Sequence, residues 1–253
     1  MNKQINLFLL ALSFFSRLPV SGWVQYSSDN LNQANRYFGM VGWLLGAIVA
    51  AAFWLLLQYF SQAISVFLAM IVSLLLTGVF HEDGLADMAD GFGGGFDPSR
   101  KLEIMKDSRL GTYGSAALMM ALLGKFLFLS ESGNVLLAIL VAYPLSRAVA
   151  GSFIFDMDYV RESVNGSEQS KSKPLASQQT STELMILLLS GAATFMLLPL
   201  NTVFWLLAVL SVFRVAFKRL LLKQIGGFTG DCLGGAQQLS ELLIYATLLA
   251  VTS

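Results

Sequence analysis

The feature that most constrains this chain is a series of apolar runs, each long enough to cross a bilayer, separated by connections of two sharply different kinds. Runs of spanning length fall at about 38–60, 63–80, 112–130, 134–155, 183–199, 202–222 and 236–252. A hydrocarbon core of about 30 Å takes about 20 helical residues to cross. Backbone polar groups inside it must be paired within the segment, so the runs are predicted to be helices. The connections at 61–62, 131–134 and 199–201 are tiny, whereas 81–111, 156–182 and 223–235 are long and polar. Alternating crossings place all three long connections on one face. The predicted fold is all-α: a polytopic helical bundle with about seven transmembrane helices, forming a single membrane domain over 1–253.

Composition agrees, since 55% of the 253 residues are apolar and only 13% are charged, against about 25% charged in an ordinary soluble domain. Sixteen basic and 16 acidic residues cancel, so there is no basic footprint for a nucleic acid. A single cysteine, Cys232, and a single histidine, His81, exclude a disulfide framework and any cysteine-rich or multi-histidine metal site within the chain. Residues 5–20 open with an apolar stretch after Lys3, but Arg17 and Pro19 follow where a secretory signal would carry small residues. They are predicted to form a retained interfacial or re-entrant helix. Apart from Lys125 and Arg147, the basic residues lie in the N-terminal segment, in the long loops or at span ends facing them. That asymmetry predicts that the N-terminus and the long loops are cytoplasmic and the C-terminus is outside. Within 156–182, the Ser- and Gln-rich stretch 163–182 reads as a mobile cytoplasmic loop, either a connector or a substrate lid.

Charge is concentrated on that face. Residues 81–111, HEDGLADMADGFGGGFDPSRKLEIMKDSRLG, hold 11 of the 32 acidic and basic residues. Asp83, Asp87 and Asp90 stand at i, i+4 and i+7, so on a helix they share an arc of roughly 60°. Like charges so aligned repel, which predicts a neutralising cation, the alternative being a solvated helix end stabilised partly by caps. Oxygen ligands without thiol or imidazole favour Mg²⁺, Mn²⁺ or Ca²⁺ over zinc. His81-Glu82 opens like a zinc-protease helix, but Leu85 stands where the second histidine would be. Gly91, Gly93, Gly94 and Gly95 would let backbone N–H groups approach a phosphate, or form a plain flexible turn. Arg100, Lys101, Lys106 and Arg109 follow as partners for phosphate oxygens. Carboxylates, glycines and basic groups together suggest phosphoryl transfer.

Asp87-x-x-Asp90-Gly91 and Glu103-x-x-x-Asp107 resemble pieces of the CDP-alcohol phosphotransferase motif, with Gly94-Gly95 where that motif expects Ala-Arg. A lipid enzyme of that type is the alternative reading, and a membrane transporter a second one. Transporters usually show internal repeats and a site near the bilayer midplane; here no repeat is visible and the acids gather at one boundary.

Longer blocks match better. HEDGLADMADGFGGG at 81–95, KDSRLGTYG at 106–114, GGFTGDCLGGAQQLSE at 226–241 and FFSRLPV at 14–20 resemble the signature blocks of the cobalamin synthase family, the adenosylcobinamide-GDP ribazoletransferases. The resemblance implies a multi-pass enzyme of the bacterial inner membrane, with Mg²⁺ as cofactor and its active site facing the cytoplasm. It implies joining of adenosylcobinamide-GDP to α-ribazole or its 5′-phosphate, with release of GMP. The partners it implies are these small molecules and the lipid bilayer, with a homo-oligomer an open possibility.

On that resemblance, Asp83, Asp87 and Asp90 are expected to hold Mg²⁺, and Asp231 to complete the metal shell or orient the nucleophile. Asp83 is also a catalytic candidate, with Asp107 as general base or further ligand. His81 is either an acid–base group or a packed helix-start residue. Lys106, Arg109, Gly94 and Thr229 are expected to bind substrate, and Arg147 and Glu241 to line its cleft. Charges within apolar spans should pair, which predicts a structural Lys125–Glu241 pair. Cys232 is expected to be packing.

Overall fold

The structure, a computed structural model, describes residues 2–160 and 177–252. They form α1 (Lys3–Phe15), α2 (Ser28–Ala34), α3 (Phe38–Leu56), α4 (Gln62–Thr77), α5 (Phe80–Gly94), α6 (Pro98–Met105), α7 (Thr112–Ser130), α8 (Val135–Asp156), α9 (Ser181–Ala192), α10 (Leu200–Ile225) and α11 (Gly230–Thr252), with short 3₁₀ turns between some of them. No strand occurs among the described residues; a single parallel bridge joins Tyr159 to Phe228. The all-α prediction is met. Most of the loop predicted at 156–182 lies outside the described residues.

Helix ends follow local chemistry. The side chains of Asn2, Ser27, Asp97 and Asn134 accept backbone N–H groups in the first turns of α1, α2, α6 and α8. Thr180 and Glu183 close a capping box on α9. α1 has 13 residues, about 20 Å of helix, too short to span. It buries Leu7, Leu10, Leu12 and Phe15, in keeping with a helix that does not cross.

Among the described residues, four helical stretches are long and apolar enough to cross a membrane: 28–56, 112–130, 135–156 and 200–225. The bent pair α4–α5 makes a fifth if it counts as one broken span. The segment predicted at 183–199 is a short apolar helical stretch over 181–197. The one predicted at 236–252 falls inside α11, where Gln237, Gln238, Ser240 and Glu241 are buried; these polar groups lower its apolarity yet face the protein, so hydropathy and depth part company.

Tight turns join α3 to α4 and α7 to α8, and Gln62 Nε2 at the far end donates to the carbonyls of Ser130 and Ser132 at 2.8 and 2.9 Å. The opposite ends of these helices carry α5, α6 and the 226–229 turn. Between α4 and α5 the chain bends by 85°, through Gly78 at φ 64° and Val79 at φ 63°. Glycine takes a left-handed conformation freely, whereas for a β-branched residue it is a strained outlier. The bend turns α5 away from the direction of α4 and seats it on α7 and α11. A hydrophobic core runs through the bundle, including Leu10, Val41, Leu45, Leu85, Ile139, Phe153, Leu187, Leu206 and Ile244.

Candidate active site

Two glycines set the geometry of the site. A Cβ added to Gly84 of α5 would lie 3.0 Å from Asp231 Cα and 3.2 Å from Gly234 Cα; one added to Gly234 of α11 would lie 3.2 Å from Gly84 Cα. With hydrogen in place of a side chain, the two backbones approach closely, and the acids on α5 come to the start of α11. Asp83 is exposed, while Asp87 and Asp231 are half-buried. Burial and then the neighbouring charges of Asp83, Asp231 and Asp90 push the Asp87 carboxyl up to about 7. Burial and Asp83 push Asp231 up to about 6. Like charges raise one another in this way when no cation intervenes, and no Lys or Arg forms an ion pair with Asp83, Asp87 or Asp231 among the described residues. The distant sequence block at 226–241 and the acidic block at 81–95 thus meet, as the sequence predicts.

Asp90 is placed differently from the expectation. Its Oδ2 accepts the Gly111 N–H at 2.7 Å and its Oδ1 the Gly114 N–H at 2.8 Å, so the buried carboxylate caps α7. It shares the helix face of Asp87, but both its oxygens are turned to another helix. Thr229 also works as a cap: its Oγ1 accepts the Cys232 N–H at 3.3 Å and lies 3.5 Å from Asp231 Oδ2, to which it donates. Cys232 is fully buried.

The glycine run is a helix end, not a phosphate loop. Gly91, Gly93 and Gly94 lie within α5, and a Cβ on Gly91 would lie 2.5 Å from the Met105 side chain and one on Gly93 2.4 Å from the Tyr113 ring. These two let α6 and Tyr113 pack on α5; Gly94 is exposed and in ordinary contact with Ile104.

Asp107 binds Arg109 in a bidentate pair, with Nε donating to both oxygens at 3.0 Å and Nη2 to Oδ2 at 2.5 Å. Those hydrogen bonds hold the Asp107 carboxyl down at about 2, which makes it a weak base. Arg109 is exposed on the loop before α7, and Lys106 is exposed at the end of α6. Lys101 Nζ reaches Gln224 Oε1 at 2.5 Å, tying α6 to α10.

Three predicted site residues lie inside the protein instead of in a cleft. His81 is 2% exposed and lies beside the stacked Phe15–Phe38 pair, nearly parallel to both rings at ring-centroid distances of 6.0 and 5.7 Å, so of the two readings offered for it, packing is the one the structure supports. Arg147 is 1% exposed, donates to the Tyr143 carbonyl at 3.0 Å and lies over the Tyr143 ring. Glu241 pairs with Lys125 at 3.1 Å, as predicted, and accepts from Gln237 and Tyr245. A charge in an apolar span signals a need for partners, and here the partners are internal.

Gly84, Gly234, Gln237 and Gln238 belong to the site region without having been expected there. A glycine between aligned acids, and another in a Gly-Gly pair, were the available signals of close approach.

Asp83, Asp87 and Asp231 offer only oxygen donors, which suits a hard divalent cation. Among the described residues no group of three or more His, Cys, Asp or Glu side chains is arranged as a ready metal cage. The fit is one of chemistry and charge: three carboxylates gathered without a paired Lys or Arg among the described residues.

A family model described as cobalamin-5-phosphate synthase matches residues 7–249. An adenosylcobinamide-GDP ribazoletransferase of Vibrio cholerae is 54% identical over 250 residues, covering 98% of this chain and 94% of that protein. One of Vibrio vulnificus is 54% identical over 251 residues, covering 98% and 97%. One of Shewanella halifaxensis is 51% identical over 252 residues, covering 98% and 96%. No solved structure matches the chain.

Proposed function

This chain belongs to the cobalamin-5-phosphate synthase family, and from that premise we propose that it joins adenosylcobinamide-GDP to α-ribazole or its 5′-phosphate in a Mg²⁺-dependent reaction that releases GMP. It is a transferase of cobalamin nucleotide-loop assembly, and its apolar helices make it a membrane protein. The reading further puts it in the bacterial inner membrane, with α5 and the start of α11 facing the cytoplasm, where the basic residues gather.

In this reaction a ribazole hydroxyl forms a new P–O bond with the cobinamide-side phosphorus of the pyrophosphate and loses its proton to water, the phosphoanhydride bond breaks, and GMP departs with the bonding pair. The observation that carries the reading is the meeting of Asp83 and Asp87 with Asp231 across the Gly84–Gly234 contact. These three carboxylates would hold Mg²⁺. A bound divalent cation would neutralise charge that develops on the departing phosphate oxygen. Lys106 and Arg109 lie exposed on the segment that follows α5 and would bind phosphate oxygens. Asp90 keeps α7, and with it the Lys106–Arg109 segment, fixed against α5. Asp107, held as a carboxylate by Arg109, orients that guanidinium and does not accept the hydroxyl proton.

The test is to supply detergent-purified protein with adenosylcobinamide-GDP, α-ribazole or its 5′-phosphate, and Mg²⁺, and to follow GMP. The expected result is GMP equal to the cobalamin formed, abolished by EDTA and lowered at least about 100-fold by Asp83→Asn, within the range that charge-stabilising groups contribute. Undiminished GMP release in EDTA, or in folded Asp83→Asn, contradicts the reading.

A further inference from the structure

Behind the acidic cluster, on the inner side of α5, lies a second set of charges that the proposed reaction does not use. Lys125 of α7 is 5% exposed, Glu82 of α5 3% and Glu241 of α11 2%. Lys125 Nζ lies 3.1 Å from Glu241 Oε1, 3.8 Å from Glu82 Oε1 and 3.2 Å from Gln238 Oε1. Gln238 Nε2 in turn donates to Glu82 Oε1 at 3.0 Å. Gln237 Nε2 and the Tyr245 hydroxyl donate to Glu241 at 2.6 and 3.0 Å. Glu82 Oε2 has no hydrogen-bond partner. One ammonium therefore stands between two buried carboxylates on two different helices, and those are the helices that bring Asp83 and Asp87 to Asp231.

The placement gives Lys125 leverage on the site. Glu82 directly precedes Asp83, and Gly84, which follows, packs against the backbone of Asp231 and Gly234 on α11. Gln238 lies one helical turn beyond Gly234 on the same helix. A shift of α5 against α11 that separates Asp83 from Asp231 must also stretch the Glu82–Lys125–Glu241 bridge. Removing the ammonium leaves two desolvated carboxylates facing each other, and uncompensated buried charge drives local rearrangement.

We propose that Lys125 is a positioning residue, a cationic clamp that sets the register of α5 against α11 and so keeps Asp83 and Asp87 within reach of Asp231 for the divalent cation. The inference rests on the reading of those three acids as the cation site.

The experiment uses Mn²⁺ alone as the probe. Its binding to the detergent-purified full chain is followed by electron paramagnetic resonance, beside the Mg²⁺ concentration that gives half-maximal GMP release. Wild-type protein is measured first. Lys125→Met, which keeps most of the side-chain length, is expected to weaken Mn²⁺ binding and raise the Mg²⁺ half-saturation by at least tenfold, with Lys125→Arg restoring most of both. Glu82→Gln keeps an acceptor for Gln238 while breaking the charge bridge, and serves as the second variant if Lys125→Met does not fold. It is expected to move both readouts in the same direction.

A merely structural lysine would lower melting temperature and yield while leaving both readouts unchanged in the folded fraction; that result in both variants overturns the clamp. Wild-type protein that binds no Mn²⁺ and turns over in EDTA overturns the cation site itself, and is recognised before any variant is made.

Discussion

Gly84 of α5 and Gly234 of α11 pass so close that a Cβ on either would lie 3.2 Å from the Cα of the other. The obstructing atoms are backbone, which cannot swing aside as a flexible side chain can. Gly84→Ala and Gly234→Ala are therefore expected to push the helices apart, at an overpacking cost of about 1–3 kcal/mol. Because the same contact carries Asp231 to Asp83 and Asp87, turnover should fall further than stability implies. A displacement of ångström scale can cost about 100-fold in rate. Thermal melts and GMP release measured on the same preparations check this.

Asp90 should behave unlike its neighbours on α5. As the cap of α7 it receives two backbone N–H groups, and loss of a cap costs about 0.5–2 kcal/mol. Asp90→Asn, which keeps one acceptor, is expected to lower the melting temperature while leaving the Mg²⁺ half-saturation within about twofold, because both its oxygens are engaged by α7 and it acts on the site formed by α5 and α11 only through its charge, the weakest of the neighbours that raise Asp87. Asp87→Asn is expected to do the reverse, with little loss of stability and a large loss of activity. Melting curves beside Mg²⁺ titrations separate the two.

Much of this site could be read from spacing, and the exceptions have physical reasons. Asp83 and Asp87 were legible because one helical turn puts them on one face, and that relation needs no knowledge of the fold. Asp90 shares the face, yet its partners Gly111 and Gly114 lie on another helix, and no local pattern tells a metal ligand from a cap supplied across 21 residues of chain. The Lys125–Glu241 pair was legible because charges in apolar spans must find partners. Arg147 obeys the same rule through a backbone carbonyl and an aromatic ring, partners that every span contains and that leave no mark in the sequence. The glycine run looked like a phosphate loop because glycine permits both a loose turn and close helix packing; the bulk of Met105 and Tyr113 decides for packing. Hydropathy located the helices well, but it averages over faces. It therefore could not show that the polar residues of α11 point inward, or that Gly78 and Val79 bend the chain by 85°.

Stability should depend on pH in a way that Mg²⁺ reverses. In the absence of a cation Asp87 sits at about 7 and Asp231 at about 6, above the ordinary 3.8. Between those values the folded protein binds more protons than the unfolded chain, so its stability falls as pH rises from 3.8 through about 7. A cation replaces those protons. The gain in melting temperature on exchanging EDTA for Mg²⁺ is expected to be largest near pH 8 and to shrink as pH is lowered through the Asp87 range. A gain that does not vary with pH contradicts it.

Asp107 offers a contrast. Held near 2 by Arg109, it stays ionised throughout the working range. Asp107→Asn is expected to leave the pH dependence of kcat in place, with a rise in substrate KM of less than about tenfold, since the lost interaction is an exposed ion pair of small energy. Disappearance of the acid limb of the pH profile in this variant would show that Asp107 is the base after all.

The central claim is that carboxylates from α5 and α11 form one divalent-cation site. Its most direct measurement is Mn²⁺ binding to purified wild-type protein, Asp83→Asn and Asp231→Asn, followed by electron paramagnetic resonance without substrate. The account predicts a saturable site in the wild type that weakens at least about tenfold in each variant, because each removes one charged oxygen ligand from the same ion. Mn²⁺ bound with equal affinity by all three proteins would contradict it.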